Sequence, residues 1–149
     1  MSRFLPEDFD AGRPLALVAG QGEYPVLLAE RAKAEGVPLR LVELAGETSP
    51  EFAGVFSPDE RAEVKVGQVG KLLKVLKKFE AGYAVMAGRV TPGKLFRGLH
   101  PDFKAARMLA GLKRRNAETL FGAIGDEIEK AGVRLLDARV FMDADLAEP

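Results

Sequence analysis

The chain has 149 residues, with 22 basic and 22 acidic side chains and so no net charge. That balance excludes a general nucleic-acid binder, which needs a basic excess. The absence of cysteine excludes disulfides and thiolate chemistry and fits a reducing compartment. At this length one domain with an ordinary core is expected.

Residues 1–14 read as an irregular leader punctuated by Pro6, Gly12 and Pro14. The leader lacks the basic start and apolar core of a signal peptide. No apolar run is long enough to span a bilayer, so the expected location is cytoplasmic. Leu15 to Ala19 is a short continuous apolar run, the mark of a strand buried on both faces. Pro25 suits the first turn of a helix, which Gly36 stops. Leu39 to Leu44 is a second strand, completing a βαβ unit.

Ala45 to Arg61 is loop-like, and the spacing of Ser57 and Glu60 suggests a capped short helix. A third strand is expected over Ala62 to Val66 and a helix over Gly67 to Phe79. In that helix Val69, Leu72, Leu73, Leu76 and Phe79 share a stripe and the lysines lie mostly off it. Tyr83 to Ala87 is a fourth strand. A loop rich in glycine, proline and cations follows. Helices are then expected from Pro101 to about Arg115 and from Ala117 to Lys130, with Leu120, Phe121, Ile124 and Ile128 inward. At least one last strand is expected within Val133 to Phe141. The alternation implies an α/β fold with a mostly parallel sheet of about five strands, whose ligands bind beyond the strands' C-terminal ends.

Three loops fall at such ends. In Gly20-Gln21-Gly22-Glu23-Tyr24-Pro25 the glycines let backbone amides approach a ligand, and the helix start favours an anion such as phosphate. On that reading Gly20→Val blocks binding with little change in fold. The competing reading is a tight turn that binds nothing. The dinucleotide fingerprint needs a third glycine where Pro25 stands. Glu43 does sit where a ribose-binding acid would, which keeps a dinucleotide-binding domain using Gly20, Gly22 and Glu43 as the alternative. Gln68, in the second loop, carries a donor and an acceptor able to read a uracil or sugar edge, or is simply a solvated first-turn residue. In the third loop, after Gly88, Arg89 is suited to fork onto a phosphate or carboxylate, whereas Lys94 reads equally well as an ordinary surface cation. The ends of the first, third and fourth strands are expected to converge on one pocket.

Catalytic constellations are missing. The single histidine, His100, precedes a proline at a helix entrance. The serines at 2, 49 and 57 have no neighbouring base, so no nucleophile triad can be assembled. No His/Cys spacing suggests zinc. Asp143 and Asp145 imitate a hard-metal pair but sit in a terminal tail, and Asp126 and Glu127 are expected to cover an exposed helix face.

The stretches LVAGQGEYPVLLAERAKAEG, VKVGQVGKLLKVLKK, VMAGRVTPGKLF and TLFGAIGDEIEKAGVRLLDA together resemble the amino-terminal domain of the LpxI family. These are UDP-2,3-diacylglucosamine pyrophosphatases of lipid A biosynthesis. The ordered pattern Ala-Gly-x-Gly-x-x-Pro, Gly-Gln-x-Gly, Met-Ala-Gly-x-Val carries the likeness, over about Leu15 to Phe141. The resemblance implies a Rossmann-like three-layer domain at 15–141, with 142–149 a tail or the start of an interdomain linker. It implies a second, C-terminal domain bearing the metal-binding acidic groups, with the nucleotide between the two and Mg or Mn helping water attack the α-phosphorus. Ligand-binding positions are then Gly20, Gln21, Gly22, Gln68 and Gly88, to which the loop reading adds Arg89. No catalytic residue or metal ligand carries over, so this chain alone is expected to be inactive. Implied partners are UDP-2,3-diacylglucosamine or its lipid product and a catalytic domain or separate partner. A homodimer is compatible, nucleic acid is not, and membrane contact is at most peripheral. The family usually has an acidic pair where this chain has Ala117 and Glu118, and the leader is longer and more acidic than the family's.

Overall fold

A computed structural model describes residues 1–90, 102–114 and 116–145. The expectations for Lys94, His100, Pro101, Arg115 and the last four residues lie outside the described residues. Among the described residues the elements are β1 (Leu15–Ala19), α1 (Tyr24–Ala34), β2 (Leu39–Leu44), α2 (Pro50–Ala53), β3 (Arg61–Val64), α3 (Val69–Lys78), β4 (Tyr83–Ala87), α4 (Phe103–Ala110), α5 (Ala117–Lys130) and β5 (Arg134–Leu135). All strand pairs are parallel, in the order β3-β2-β1-β4-β5. This is the doubly wound Rossmann-like arrangement, and the strand order reverses between β1 and β4.

β1 is central and buried along its whole length. Leu15, Leu17 and Ala19 face one cluster with Leu28 and Ala32 of α1. Ala16 and Val18 face the other, with Leu72 and Leu76 of α3 and Leu120, Ile124 and Ile128 of α5. The period-two alternation thus sends successive side chains into two cores, giving three layers. In α3 the buried set is Val69, Leu72, Val75 and Leu76, so Val75 takes a place the stripe assigned to Leu73.

The differences from the expected elements have local causes. The cap in the Ala45–Arg61 stretch is Ser49, which accepts from the Phe52 amide at 3.4 Å and starts α2. Ser57 instead donates to Asp59, and only a 3-10 turn, Pro58–Glu60, follows. The last strand stops after two residues, although Leu136 still donates to Ala84 O at 2.8 Å. Asp137 Oδ1 then accepts from the Arg139 amide, and the chain turns off the sheet. Its apolar residues are not wasted: Leu136, Val140, Phe141 and Met142 complete the α1-side core.

The leader has no helix or strand but is docked. Phe9 packs on Tyr83 at 4.6 Å between ring centroids, and the Asp10 amide donates to the Tyr83 hydroxyl at 2.8 Å. Asp8 pairs with Arg134 at 2.8 Å, and this hydrogen bond holds the Asp8 carboxyl below its ordinary range. Asp143 accepts from Ser2 and from the Arg3 amide, so it ties the two ends of the chain together. Packing therefore continues past residue 141. Among the described residues, no helix is long and apolar enough to cross a membrane.

Helices α1, α3 and α5 end alike. Gly36 and Gly132 adopt φ of 78° and 89° after α1 and α5. After α3 the same place is held by Glu80, at φ 55°. Glu80 N–H donates to Lys77 O at 3.0 Å and Ala81 N–H to Leu76 O at 3.1 Å, the two bonds of a Schellman ending. A left-handed non-glycine residue costs about 1 kcal/mol, partly offset by glycine's greater freedom when unfolded. Glu80→Gly is expected to raise stability by roughly 0.5 kcal/mol, a Tm gain of about 1–2 °C in calorimetry.

Candidate functional site

At the C-terminal ends of β1 and β4 the first and third of the expected loops meet, but their chemistry is distributed differently from the expectation. The first and third loops meet as a two-bond antiparallel bridge between Gln21 and Arg89. Gln21 N–H donates to Arg89 O at 2.7 Å, Arg89 N–H to Gln21 O at 3.0 Å, and Gly20 N–H to Ala87 O at 2.8 Å. The Thr48 hydroxyl donates to Ala19 O at 2.6 Å and accepts from the Leu44 amide at 2.7 Å. The amides of Gly20 and Gln21 are therefore committed to the neighbouring loop, which corrects the expectation that they face a ligand. Gly20 is small because the other loop needs the space: a Cβ there would sit 2.5 Å from Arg89 O. At Gly88, with φ +97°, a Cβ would meet Pro25 Cγ at 2.8 Å. Gly20→Val is consequently a folding lesion and no clean test of binding.

What remains open is the start of α1. No side chain caps it, and its first turn contains no acidic residue. Gly22 takes φ +97°, and the Arg89 guanidinium lies beside it, with Nε and Nη2 3.9 Å from where a Cβ would be. Arg89 is exposed. A positive helix end next to a guanidinium fork is suited to a phosphate oxygen. Tyr24, in the first turn, anchors this end by donating to Ala138 O at 2.6 Å, and burial pushes its phenol upward from the ordinary value.

On the α3/α5 side of the sheet, Gly20 and Gly88 line a cleft of about 270 Å³ with Val18, Leu44, Met86, Val90 and Phe121. Gln68 lines a smaller adjoining hollow but also serves its own loop, where Oε1 accepts from the Lys65 amide at 2.9 Å. A larger concavity, about 610 Å³, lies at the opposite end of the sheet around Arg13, Lys77, Glu80 and Gly132. Strands of an open α/β sheet present their loops at the other end, so size does not decide the site.

The start of α3 is closed by its own chain. Asp102 Oδ2 accepts from the amides of Gly70 at 2.7 Å and Lys71 at 3.4 Å, and Oδ1 accepts from Ala105 at 2.9 Å. A carboxylate from the start of α4 thus occupies the place a phosphate would take at α3.

The sequence reading missed Glu47, a buried carboxylate that accepts from the Gln21 side-chain amide. A glutamate three residues past a strand is unremarkable in sequence, and only the meeting of the β1 and β2 loops buries it. Gln21 is therefore a brace on Glu47 as well as a bridge residue. Glu43 is half-buried on β2, in register with Ala19 and Glu63. Glu127 is not simply a solvated face residue. It pairs with Lys104 at 3.2 Å and Lys130 at 3.7 Å, and the Lys104 hydrogen bond lowers its pKa. Among the described residues no group of three or more His, Cys, Asp or Glu side chains could hold a metal ion.

The LpxI N-terminal domain model matches residues 14–144. UDP-2,3-diacylglucosamine pyrophosphatase LpxI of Caulobacter vibrioides is 30% identical over 136 residues, covering 87% of this chain and 46% of the relative. The chain thus spans about half the length of that curated relative. Among solved structures, the Bordetella bronchiseptica enzyme WbmG in complex with NAD and UDP superposes with a TM-score of 0.49 at 17% identity, over 80% of this chain and 35% of that one. A putative NAD-dependent epimerase/dehydratase from Methylobacillus flagellatus gives 0.41 at 14%, over 79% and 33%. At these scores neither superposition informs ligand or mechanism. The family match covers nearly the whole chain, and this chain belongs to the LpxI N-terminal domain family.

Proposed function

We propose that this chain is the nucleotide-sugar-binding half of a cytoplasmic UDP-2,3-diacylglucosamine pyrophosphatase of lipid A biosynthesis. The observation that carries the reading is the uncapped start of α1 with the Arg89 guanidinium beside Gly22. That corner takes the diphosphate, and the apolar cleft beneath Gly20 and Gly88 takes a less polar part of the lipid substrate. The described residues gather no set of carboxylates or imidazoles that would fit Mg or Mn. On this reading the metal and the hydrolytic groups come from a second domain or a partner, and the chain alone binds without cutting.

The dinucleotide alternative asks Gly20 to open toward a ligand, and Gly20 is instead packed on the Arg89 backbone. UDP present at a hundred times its Kd should stabilise the fold by about 2.7 kcal/mol, whereas NAD should leave Tm unchanged. Arg89→Ala removes only an exposed side chain and leaves the backbone bridge intact. Loss of a charged hydrogen bond costs about 1.5–3 kcal/mol, so UDP affinity should fall roughly 10- to 100-fold in calorimetric titration with Tm of the free protein unchanged. Equal affinity for UDP in the variant, or a Tm response to NAD alone, overturns the assignment. UMP release from UDP-2,3-diacylglucosamine by the purified chain overturns the division of labour.

A further inference from the structure

The outward face of α4 sets an exposed ring among cations. Ala105 and Leu109 turn inward, while Phe103 and Arg107, one helical turn apart, turn the other way. Phe103 is 79% exposed. Arg107 stacks on it with Cζ 5.9 Å from the ring centroid. Lys113 and Arg114 are exposed just beyond the helix. Among the described residues, none of Arg107, Lys113 and Arg114 forms an ion pair with another. Asp102 is the acidic residue of this stretch, and its carboxylate is turned inward onto two helix starts. Glu127 of α5 lies beside Phe103 and Arg107 but is already paired with Lys104 and Lys130, so the face keeps a basic excess with an aromatic ring at its edge, in a chain of zero net charge.

We propose that α4 docks the domain on an anionic phospholipid surface, with Phe103 entering the interface and Arg107, Lys113 and Arg114 meeting lipid phosphates. A ring projecting among cations suits a bilayer boundary, where apolar burial and attraction to anionic headgroups act together. A single exposed phenylalanine would need no explanation, but this one is the residue after Asp102. It therefore stands at the same end of the sheet as the candidate site, where a guest with acyl chains would arrive from a membrane. The choice of a lipid surface rests on the lipid-substrate reading above, but the docking itself requires no nucleotide.

The test is co-sedimentation of the full chain with vesicles of phosphatidylcholine, with and without about 30% phosphatidylglycerol, in about 0.1 M salt. Binding to the anionic vesicles only is expected. Phe103→Ala should weaken it at least fivefold, and Arg107→Glu with Arg114→Glu should abolish it. Lys77→Glu with Lys78→Glu, the same charge change on α3, should leave it intact, and circular dichroism should show all variants folded. Four results would overturn the proposal: no sedimentation, equal binding to neutral vesicles, indifference to Phe103→Ala, or equal loss in the α3 variant. Tighter binding to duplex DNA than to vesicles would also overturn it, making nucleic acid the occupant. None of these outcomes bears on UDP binding, so the two readings stand or fall separately.

Discussion

Gly20→Ala is expected to destabilise the domain by about 3 kcal/mol, the upper range for forcing atoms into a filled space, and to lower Tm by roughly 6–12 °C. The added methyl would lie 2.5 Å from Arg89 O and 2.9 Å from Arg89 C and N. All three are backbone atoms, so no rotamer change can relieve the clash. The bridge must break or β1 must part from β4, and either course exposes amides that are now paired. Gly122→Ala on α5 is the control. Nothing lies within 4 Å of its new methyl, and alanine should stabilise that helix by up to about 1 kcal/mol. Chemical denaturation of the pair separates crowding from a general glycine effect. Equal stability of Gly20→Ala and the parent would mean that the crossing between the loops is not as close as described.

The second large effect is expected at Asp102. Its carboxylate caps α4 through Ala105 and closes α3 through Gly70 and Lys71. An N-cap exchanged for alanine costs about 0.5–2 kcal/mol, and here two helix starts lose their acceptor at once. Asp102→Ala should therefore cost about 2–3 kcal/mol. Asp102→Asn keeps one acceptor oxygen and should lose about half as much. The graded series, read by equilibrium unfolding, tests the double role. If Asn and Ala cost the same, a single amide oxygen caps neither helix and the stabilisation requires the full carboxylate. If neither costs anything, α4 is not held to α3 through this side chain.

The parts of the fold that were readable from sequence are those with local causes. Pro25 at a helix start, the glycines after α1 and α5, and the lysine-free stripe of α3 each determine their own neighbourhood. The run Leu15–Ala19 announces burial on both faces because nothing polar interrupts it. That the first and third loops would meet was readable, since strand ends in such sheets gather loops at one edge. Its chemistry was not. Whether the Gly20 amide points at a guest or at Ala87 O depends on a strand end 67 positions away. No spacing rule connects Asp102 to Gly70, or Glu47 to Gln21. The short β5 was hidden for a related reason: Val133 to Phe141 is apolar enough for a strand, but the Asp137 side chain bonds to the backbone and ends the ladder.

The seam between β1 and β4 is fastened at both ends. At the far end Pro14 O accepts from Gly82 and Tyr83, and at the near end Gln21 and Arg89 exchange their bonds. The halves of the sheet on either side of this seam therefore cannot swing apart as jaws. On the proposed reading, a guest settling between Gly22 and Arg89 would meet a backbone rim assembled in advance and forfeit little loop entropy on arrival. Selectivity at that corner would then come from fit to a rigid mould, and a bulkier guest would be refused instead of being slowly accommodated.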